Sequence, residues 1–358
     1  MQRNKKSFNG QKIFIGIDVH RRSWSVTTIT ESGSEHSHAQ KPGAQELFDF
    51  LKKRYPHAEY HAVYEAGFTG MATYYALSDV GIKCIAIHPA DVPTTQRDAV
   101  MKSDKVDSSK LARALRNGLL NGIYIRPKEF LDDRGIVRFR RMLIANLNAY
   151  KVRVKHLLHA NGIELPQEFD RLKGSCWNGA FIKWLKEDVT LLSPTKETLG
   201  LILNQVERLR RDVLHVTRKI RELAATPKYE KSYNLLISIP GIGIVTAMTL
   251  LTELCEIKRF SGHRQFASYL GLIPTCHSSG ERISNGPMTF RGNAHIKDML
   301  IEAAWVAIRR DDSIGLAYTN LRRRMEPQKA IVRIAHKLSN IIFAVLKKEK
   351  GYAPQLDG

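Results

Sequence analysis

The sequence predicts an α/β domain followed by a longer, mainly helical region, and three observations indicate this division. Strand-like and helix-like segments alternate between residues 12 and 125, which is typical of a sheet with helices packed on it. From residue 126 onward apolar residues recur at helical spacing, and a Pro-Gly turn joins two later helical segments. We therefore expect three domains, at residues 10–125, 126–228 and 229–350.

The first predicted strand carries a single acid near its end. The run from Ile13 to Val19 is otherwise apolar, which is typical of a strand buried on both faces, and the acid is Asp18. A buried carboxylate is costly unless it is paired or bound to a metal. A second apolar run, from Tyr60 to Glu65, also ends in an acid.

The remaining elements of this domain follow in a regular order. The sequence predicts strands at residues 24–30 and 35–40, a helix at 43–56, and the strand at 60–65 that ends at Glu65. A helix at 70–80, a strand at 83–87 and a closing helix at 105–117 follow. Three strands followed by alternating helix and strand is the order of a ribonuclease-H-like sheet. Asp104 and Asp107, three residues apart, share one face of the closing helix.

These four acids suggest a metal site. Taken singly, each has an ordinary structural explanation, such as a helix N-cap or a solvated side chain. Taken together, in this order and on these elements, Asp18, Glu65, Asp104 and Asp107 predict a site for Mg²⁺ or Mn²⁺, since hard oxygen ligands favour these ions over zinc.

The region that follows combines positive charge with helical periodicity. Residues 126–155 interleave arginines and lysines with apolar residues, which predicts a helix with one packed and one cationic face, in contact with either phosphate or solvent. The next helix has an unbroken heptad register at Leu199, Ile202, Val206, Leu209, Val213, Val216, Ile220 and Leu223. This register favours a dimerising or domain-spacing coiled coil, with an amphipathic helix packed within one chain as the alternative.

Two short motifs stand out in the last region. Pro240-Gly241-Ile242-Gly243 between two helices predicts a helix-hairpin-helix turn, whose small residues let backbone N–H groups approach a phosphate, although a plain turn is the alternative. The segment from Thr275 to Arg282 contains Ser278-Ser279-Gly280 and is predicted as a loop. It could present a nucleophilic hydroxyl beside phosphate-binding arginines.

Composition favours a polyanionic partner. Among 358 residues, 56 are Lys or Arg and 35 are Asp or Glu, a net charge of +21 for which nucleic acid is the commonest partner. The alternatives are a merely soluble basic protein or, less favoured, an acidic membrane surface. The sequence predicts a cytoplasmic protein for three reasons. Its four cysteines are scattered without a C-x-x-C pair, it has no apolar signal core, and it has no apolar run of membrane length.

Five motifs, taken in order, resemble those of one family. They are Gly16-Ile17-Asp18, Tyr64-Glu65-Ala66-Gly67, Lys102-Ser103-Asp104-Lys105-Val106-Asp107, Ile239-Pro240-Gly241-Ile242-Gly243 and Gly271-Leu272-Ile273-Pro274 with Ser278-Ser279-Gly280. Over residues 12–345 the chain resembles the DEDD-type insertion-sequence transposases, the Piv invertase and IS110 family of bridge-RNA-guided recombinases.

The resemblance implies a RuvC-like domain, a coiled-coil linker and a C-terminal transposase domain that carries a serine. The four acids would be Mg²⁺ ligands, and Ser279, or failing that Ser278, would attack a DNA phosphodiester and hold the broken end. A structured noncoding bridge RNA would pair with donor and target DNA. The protein would form a tetramer of two dimers, and each active site would combine acids and serine from different protomers. The expected nucleic-acid contacts are Lys102, Arg138, Arg141, Gly241, Gly243, Arg282 and Arg291.

Several alternatives remain open at this point. His277 rivals the metal as the group that activates the serine. A RuvC-type Holliday-junction nuclease would use the acids to activate water, and a site-specific invertase would share the serine chemistry. A non-catalytic nucleic-acid-binding protein would use the acids for structure alone.

Overall fold

The computed structural model describes residues 8–92, 104–170, 177–279, 282–288 and 292–354. The chain divides into two compact units, Met1–Arg126 and Pro127–Gly358, and each is considered by itself. Within the described residues, no helix has both the length and the apolar character needed to cross a membrane.

The first unit is a five-stranded sheet with helices on it, as the alternating pattern predicts. Its elements are β1 Lys12–Val19, β2 Trp24–Thr30, β3 Glu35–Gln40, α1 Ala44–Arg54, β4 Glu59–Glu65, α2 Ala72–Asp79, β5 Lys83–Ile87 and α3 Asp104–Arg116, with a 3-10 turn at Pro89–Asp91. The strand order is β3-β2-β1-β4-β5. The first three strands pair antiparallel, whereas β4 runs parallel to both β1 and β5.

The two faces of the central strand β1 are covered in different ways. Ile13, Ile15 and Ile17 are fully buried and belong to the same apolar core as Leu47 and Leu51 of α1. On the other face α3 crosses the sheet at Gly16, where a Cβ atom would lie 2.0 Å from the carbonyl oxygen of Ser108. Only glycine lets the helix approach so closely, and this approach places the start of α3 near the end of β1.

The second unit is mainly helical. Its elements are α4 Lys128–Ala160, α5 Gln167–Asp170, α6 Gly179–Glu187, α7 Ser193–Ala224, α8 Glu230–Ile237, α9 Ile244–Leu254, α10 His263–Tyr269, β6 Pro274–Ser279, β7 Arg282–Met288, α11 Ala294–Ala307, α12 Asp312–Arg322 and α13 Pro327–Lys348, with a 3-10 turn at Ile257–Arg259. One continuous apolar core runs from Val137 of α4 to Leu346 of α13.

The heptad stripe of α7 has a partner within the chain. Leu199, Val206 and Ile220 are buried in the same core as Leu143, Leu147, Val154 and Leu158 of α4, which have the same spacing. Arg140, near the start of α4, donates from Nε to Thr217 Oγ1, near the end of α7, at 2.8 Å, so the two helices run antiparallel. The stripe is therefore covered in the manner of the single-chain alternative, and a dimer would have to use another face of these helices.

The prediction of a loop around the paired serines is wrong. Residues 274–279 and 282–288 form an antiparallel hairpin in which Ser278 pairs with Ile283 and Ser279 with Arg282. Serine and glycine are common in loops, so composition alone favours a loop, but the pairing depends on a partner strand that becomes visible only in three dimensions. Gly280 lies outside the described residues.

Candidate active site

Two of the predicted acids stand side by side at the ends of parallel strands. The last paired residues of β1 and β4 are Ile17 and Tyr64, and the next residue of each strand is Asp18 and Glu65 respectively. Parallel strands bring their carboxyl ends to the same edge of a sheet, so these two carboxylates are neighbours. Both belong to the sheet face that α3 covers, because residues two positions earlier, Gly16 and Val63, pack against that helix.

The third acid, Asp107, comes from the first turns of α3. Burial raises the pKa of Glu65, and the nearby charges of Asp107 and then Asp18 raise it further. Lys110 and His88 act in the opposite direction. Glu65 is thus close enough to Asp107 of the crossing helix and to Asp18 of the neighbouring strand for their charges to repel its own.

Hydrogen bonds fix α3 against the sheet beside these acids. The Ser108 hydroxyl lies 2.8 Å from the Thr27 hydroxyl of β2. Ser109 donates to Glu35 of β3 at 2.6 Å, and Arg113 Nη2 donates to the other oxygen of Glu35 at 2.8 Å. These contacts hold the helix, and with it Asp107, in register with the strand ends.

The sequence interpretation gave His20 no role, although it is a direct neighbour of the site. Its Nε2 lies 3.0 Å from Oδ2 of Asp18, with the histidine half-exposed. The signal available in the sequence was the two-residue spacing from Asp18, which brings side chains to the same side of an extended segment. His20 can therefore orient one carboxylate of the site.

The donors of this site suit a hard divalent cation. Carboxylate oxygens are the ligands that Mg²⁺ and Mn²⁺ prefer, and such a cation would relieve the repulsion that raises the pKa of Glu65. Within the residues that the structure describes, no group of three potential ligands is close enough to hold a metal ion. The Asp104 side chain lies outside that description, so the fourth predicted ligand has no described position.

The predicted nucleophile belongs to the second unit. Ser279 ends β6 opposite Arg282, the first residue of β7. The side chains of both residues, and those of Ser278 and His277, are outside the described part of the chain, as are Lys102 and Arg291 entirely.

Three of the predicted nucleic-acid contacts line one cleft. Arg141, Gly241 and Gly243 border a cavity of about 700 Å³ between α4, α9 and α11. Gly241, at a φ of 87°, lies so close to α11 that a Cβ atom would be 2.2 Å from the carbonyl oxygen of Ala303. The structure thus brings the Pro-Gly turn and the cationic helix together.

Arg138 has a different environment. Its Nε donates to Oε1 of Glu253 at 2.6 Å, and Glu253 is 1% exposed. Arg138 is therefore paired with a buried carboxylate, which weakens the attraction of its positive charge for a phosphate. Its predicted role in nucleic-acid contact stays a prediction.

Comparison with known families gives two matches along the chain. A DEDD transposase model of the IS110 type matches residues 15–161, which include all four predicted acids. A model described as the transposase IS116/IS110/IS902 family matches residues 233–319, which include Ser279. The order of the two matches is the order of the two candidate sites.

Individual relatives align with most of the chain. The y4qE protein of Sinorhizobium fredii is 25% identical over 302 residues, covering 82% of this chain and 72% of the relative. The transposase for insertion sequence element IS1533 of Leptospira borgpetersenii is 25% identical over 348 residues, covering 92% and 97%. The transposase for IS1111A of Coxiella burnetii is 25% identical over 255 residues, covering 70% and 68%.

Proposed function

This chain belongs to the IS110 family of DNA transposases, and we propose that it excises and inserts its own mobile element by RNA-guided strand exchange. The observation that carries the proposal is that Glu65, at the end of β4, lies close enough to Asp107 of α3 and to Asp18 of β1 for their charges to raise its pKa. A half-buried carboxylate such as Glu65, beside two other carboxylates, is costly, and a function that needs a cation explains it.

The arrangement of the first unit supports a RuvC-like, ribonuclease-H-like domain. Three antiparallel strands followed by two parallel ones, with α3 crossing the central strand, is the topology expected for it. In the second unit, the tight turn at Gly241 between α8 and α9 supports a helix-hairpin-helix motif.

Asp18, Glu65, Asp107 and Asp104 would hold Mg²⁺ or Mn²⁺. When bound, such an ion neutralises phosphate oxygens and stabilises negative charge on an attacking or leaving oxygen. In the same site His20 keeps one oxygen of Asp18 engaged at 3.0 Å, which restricts the rotation of that carboxylate. Hydrogen bonds with Thr27 and Glu35 hold Ser108 and Ser109 of α3, the two residues that follow Asp107.

Ser279 would act as the nucleophile. Its Oγ forms a bond to phosphorus as the bond from phosphorus to one sugar oxygen breaks, the serine proton passes to a base, and the departing oxygen takes up a proton. The broken DNA end stays attached as a phosphoserine, so the bond energy is kept for rejoining. His277, two residues earlier, is the protein group nearest in sequence that could accept the proton.

The partners follow from charge and from the division of the chain. A net charge of +21 supports binding to DNA and to a structured bridge RNA, with affinity that falls as salt rises. The acids and Ser279 lie in different units, which is compatible with an active site completed by a second copy in a dimer or tetramer.

Covalent capture tests this proposal. The protein is incubated with DNA of its element ends, the flanking noncoding RNA and Mg²⁺, then denatured and examined for a protein–DNA adduct. We expect an adduct that is lost in Ser279→Ala and Asp104→Asn. It should persist in Asp49→Asn, a control because Asp49 is exposed on α1, away from the acids.

Other outcomes would overturn specific parts. Cleavage without an adduct that survives Ser279→Ala would support a junction nuclease. An adduct lost in Ser278→Ala but retained in Ser279→Ala would move the nucleophile by one residue. If His277→Ala were inactive while Asp104→Asn stayed active, activation of the serine by the metal would be wrong. No Mg²⁺-dependent cleavage at all would support a non-catalytic binding protein.

A further inference from the structure

Glu253 is a buried acid that the proposed chemistry leaves unexplained. It lies in α9, whose other residues are apolar or threonine, and it is 1% exposed. A buried carboxylate is costly unless charged or polar partners surround it. Its partners therefore indicate what the residue does.

Two arginines of α4 approach Glu253 from one side. Arg138 donates from Nε to Oε1 at 2.6 Å, and Arg134 Nε lies 2.9 Å from Oε2 as an ion pair outside hydrogen-bond geometry. Burial acts to raise the pKa of Glu253, but the hydrogen bond and charges of these arginines hold it below its usual value. Glu253 is thus an anion that fixes α9 to the cationic helix α4.

The other side of Glu253 contacts the base of the hairpin that carries Ser279. Asn293 Nδ2 donates to Oε2 of Glu253 at 3.3 Å, and the backbone N–H of Asn293 donates to the carbonyl of Tyr269 at 2.9 Å. Tyr269 in turn donates its hydroxyl to the backbone carbonyl of Glu253 at 3.0 Å. Tyr269 precedes the hairpin and Asn293 follows it.

Two glycines bring the ends of this segment into direct contact. A Cβ atom on Gly292 would lie 2.1 Å from the Cα of Gly271, and one on Gly271, at a φ of 72°, would lie 3.1 Å from the Cα of Gly292. The chain therefore leaves for the hairpin and returns at one point, and Glu253 lies at that point through Tyr269 and Asn293.

We propose that Glu253 is a positioning residue for Ser279, which sets the base of the hairpin relative to α4. The inference rests on the proposed role of Ser279 as nucleophile. Asn293 is the link, because its side-chain amide donates to Glu253 while its side-chain oxygen caps α11 by accepting from the N–H of Ile296 at 3.3 Å. Attack on phosphorus requires placement to within a fraction of an ångström, so a loosened base slows it.

Three variants of the full-length protein separate placement from folding. Glu253→Gln keeps the shape but loses the anion, and Asn293→Asp keeps the helix cap but places two carboxylates together. The double variant Glu253→Gln with Asn293→Asp exchanges the two groups, so that an amide at position 253 can donate to a carboxylate at position 293. The control is Asp311→Asn, another buried acid of the second unit, which caps α12 and has no contact with the hairpin base in the described structure.

Two measurements are made on each variant. Amide hydrogen exchange of residues 274–279 and 282–288 in the free protein reports the hairpin, and the rate of adduct formation with element-end DNA, the noncoding RNA and Mg²⁺ reports attack. We expect each single variant to speed hairpin exchange and to slow adduct formation by on the order of tenfold or more. The double variant should recover part of both effects, because it restores the contact between residues 253 and 293 but not the ion pairs with Arg134 and Arg138. Asp311→Asn should change neither beyond its effect on overall stability.

The outcomes distinguish this inference from the proposed function. If Glu253→Gln and Asp311→Asn alter hairpin exchange and adduct rate equally, the positioning role is wrong. If the double variant fails to recover, the contact between residues 253 and 293 does not carry the effect, and the inference is again wrong. If Ser279→Ala still forms the adduct while Glu253→Gln loosens the hairpin, the nucleophile assignment fails but the anchoring of the hairpin by Glu253 stands.

Discussion

Replacing Gly16 with alanine tests how closely α3 lies on the sheet. It therefore tests whether Asp107 of α3 lies close to Asp18 and Glu65. An alanine Cβ would be 2.0 Å from the carbonyl oxygen of Ser108 and 2.6 Å from the backbone nitrogen of Ala112. Both are backbone atoms of the helix, so no side-chain rotation can relieve the overlap. Since ordinary contact begins near 3.4 Å, the helix would have to withdraw by 1.4 Å.

The cost of that withdrawal has two components. Overpacking of a buried site typically costs about 1–3 kcal/mol. The hydrogen bond between Ser108 and Thr27, 2.8 Å long, would be stretched beyond hydrogen-bond range, at about 1 kcal/mol. The reduced freedom of the unfolded chain returns about 0.5–1 kcal/mol, which leaves a net loss of roughly 1–3.5 kcal/mol for the first unit.

Hydrogen exchange measures this loss in the correct unit. The chain divides into two compact units, and the amides of β1 lie in the first, so their exchange reports that unit directly. We expect their exchange to be faster by about 5- to 400-fold in Gly16→Ala. Gly43→Ala is the matched control, since its nearest neighbour would be 3.7 Å from the new Cβ, and its cost should stay below about 1 kcal/mol.

Adduct formation should fall in the same variant, because withdrawal of α3 moves Asp107 away from Asp18. Unchanged protection of β1 in Gly16→Ala would refute the close approach of α3. The clustering of the three acids would then lose its structural basis. Strong loss of protection with full activity would instead refute the role of Asp107.

Three further predictions concern single residues. Without divalent cation, burial and neighbouring carboxylates raise the pKa of Glu65, so the wild-type free energy of unfolding should increase as pH falls through that raised value. Glu65→Gln should lack this increase in denaturant titrations. An equal response in the two proteins would contradict the assignment. Gly241→Ala, which places a Cβ 2.2 Å from the Ala303 carbonyl at a φ of 87°, should destabilise the second unit by about 3 kcal/mol in thermal unfolding, whereas Gly243→Ala, with open space, should not. Asp311→Asn should lower the free energy of unfolding by about 1 kcal/mol near neutral pH. Burial acts to raise the pKa of Asp311, but its hydrogen bonds outweigh burial and lower it, so the contribution of Asp311 to stability should vanish as pH falls through the pKa of the folded protein. A loss of stability in the variant that persists in acid would contradict this.

Periodicity in the sequence predicts which elements carry the four acids of the candidate site. The position of Asp18 and Glu65 at the ends of apolar runs predicts neighbouring carboxylates if the two strands run parallel, and β1 and β4 do run parallel. The spacing of Asp104 and Asp107 predicts a shared helix face. Both inferences can be drawn because the side-chain repeat of a strand or helix is local and is written directly in the order of residues.

Other parts of the site have weaker signals in the sequence. Glu253 is the one charged residue in the apolar helix α9, and that contrast is the only hint of its burial. Nothing in the sequence pairs it with Arg134 and Arg138, more than a hundred residues earlier. The hairpin around Ser279 is likewise predicted as a loop, because its composition resembles one.

The alternation of strands and helices, the heptad spacing of α7, the positive charge and the acids at strand ends can all be read from the order of residues. Each of these features depends on residues within a few positions of one another, or on composition. Three others follow from the folded chain only: α4 covers the heptad stripe, Gly16 admits α3, and Glu253 joins α4 to the hairpin base. These depend on close packing and buried charge pairing between distant segments, where tenths of an ångström and a single partner decide the energy.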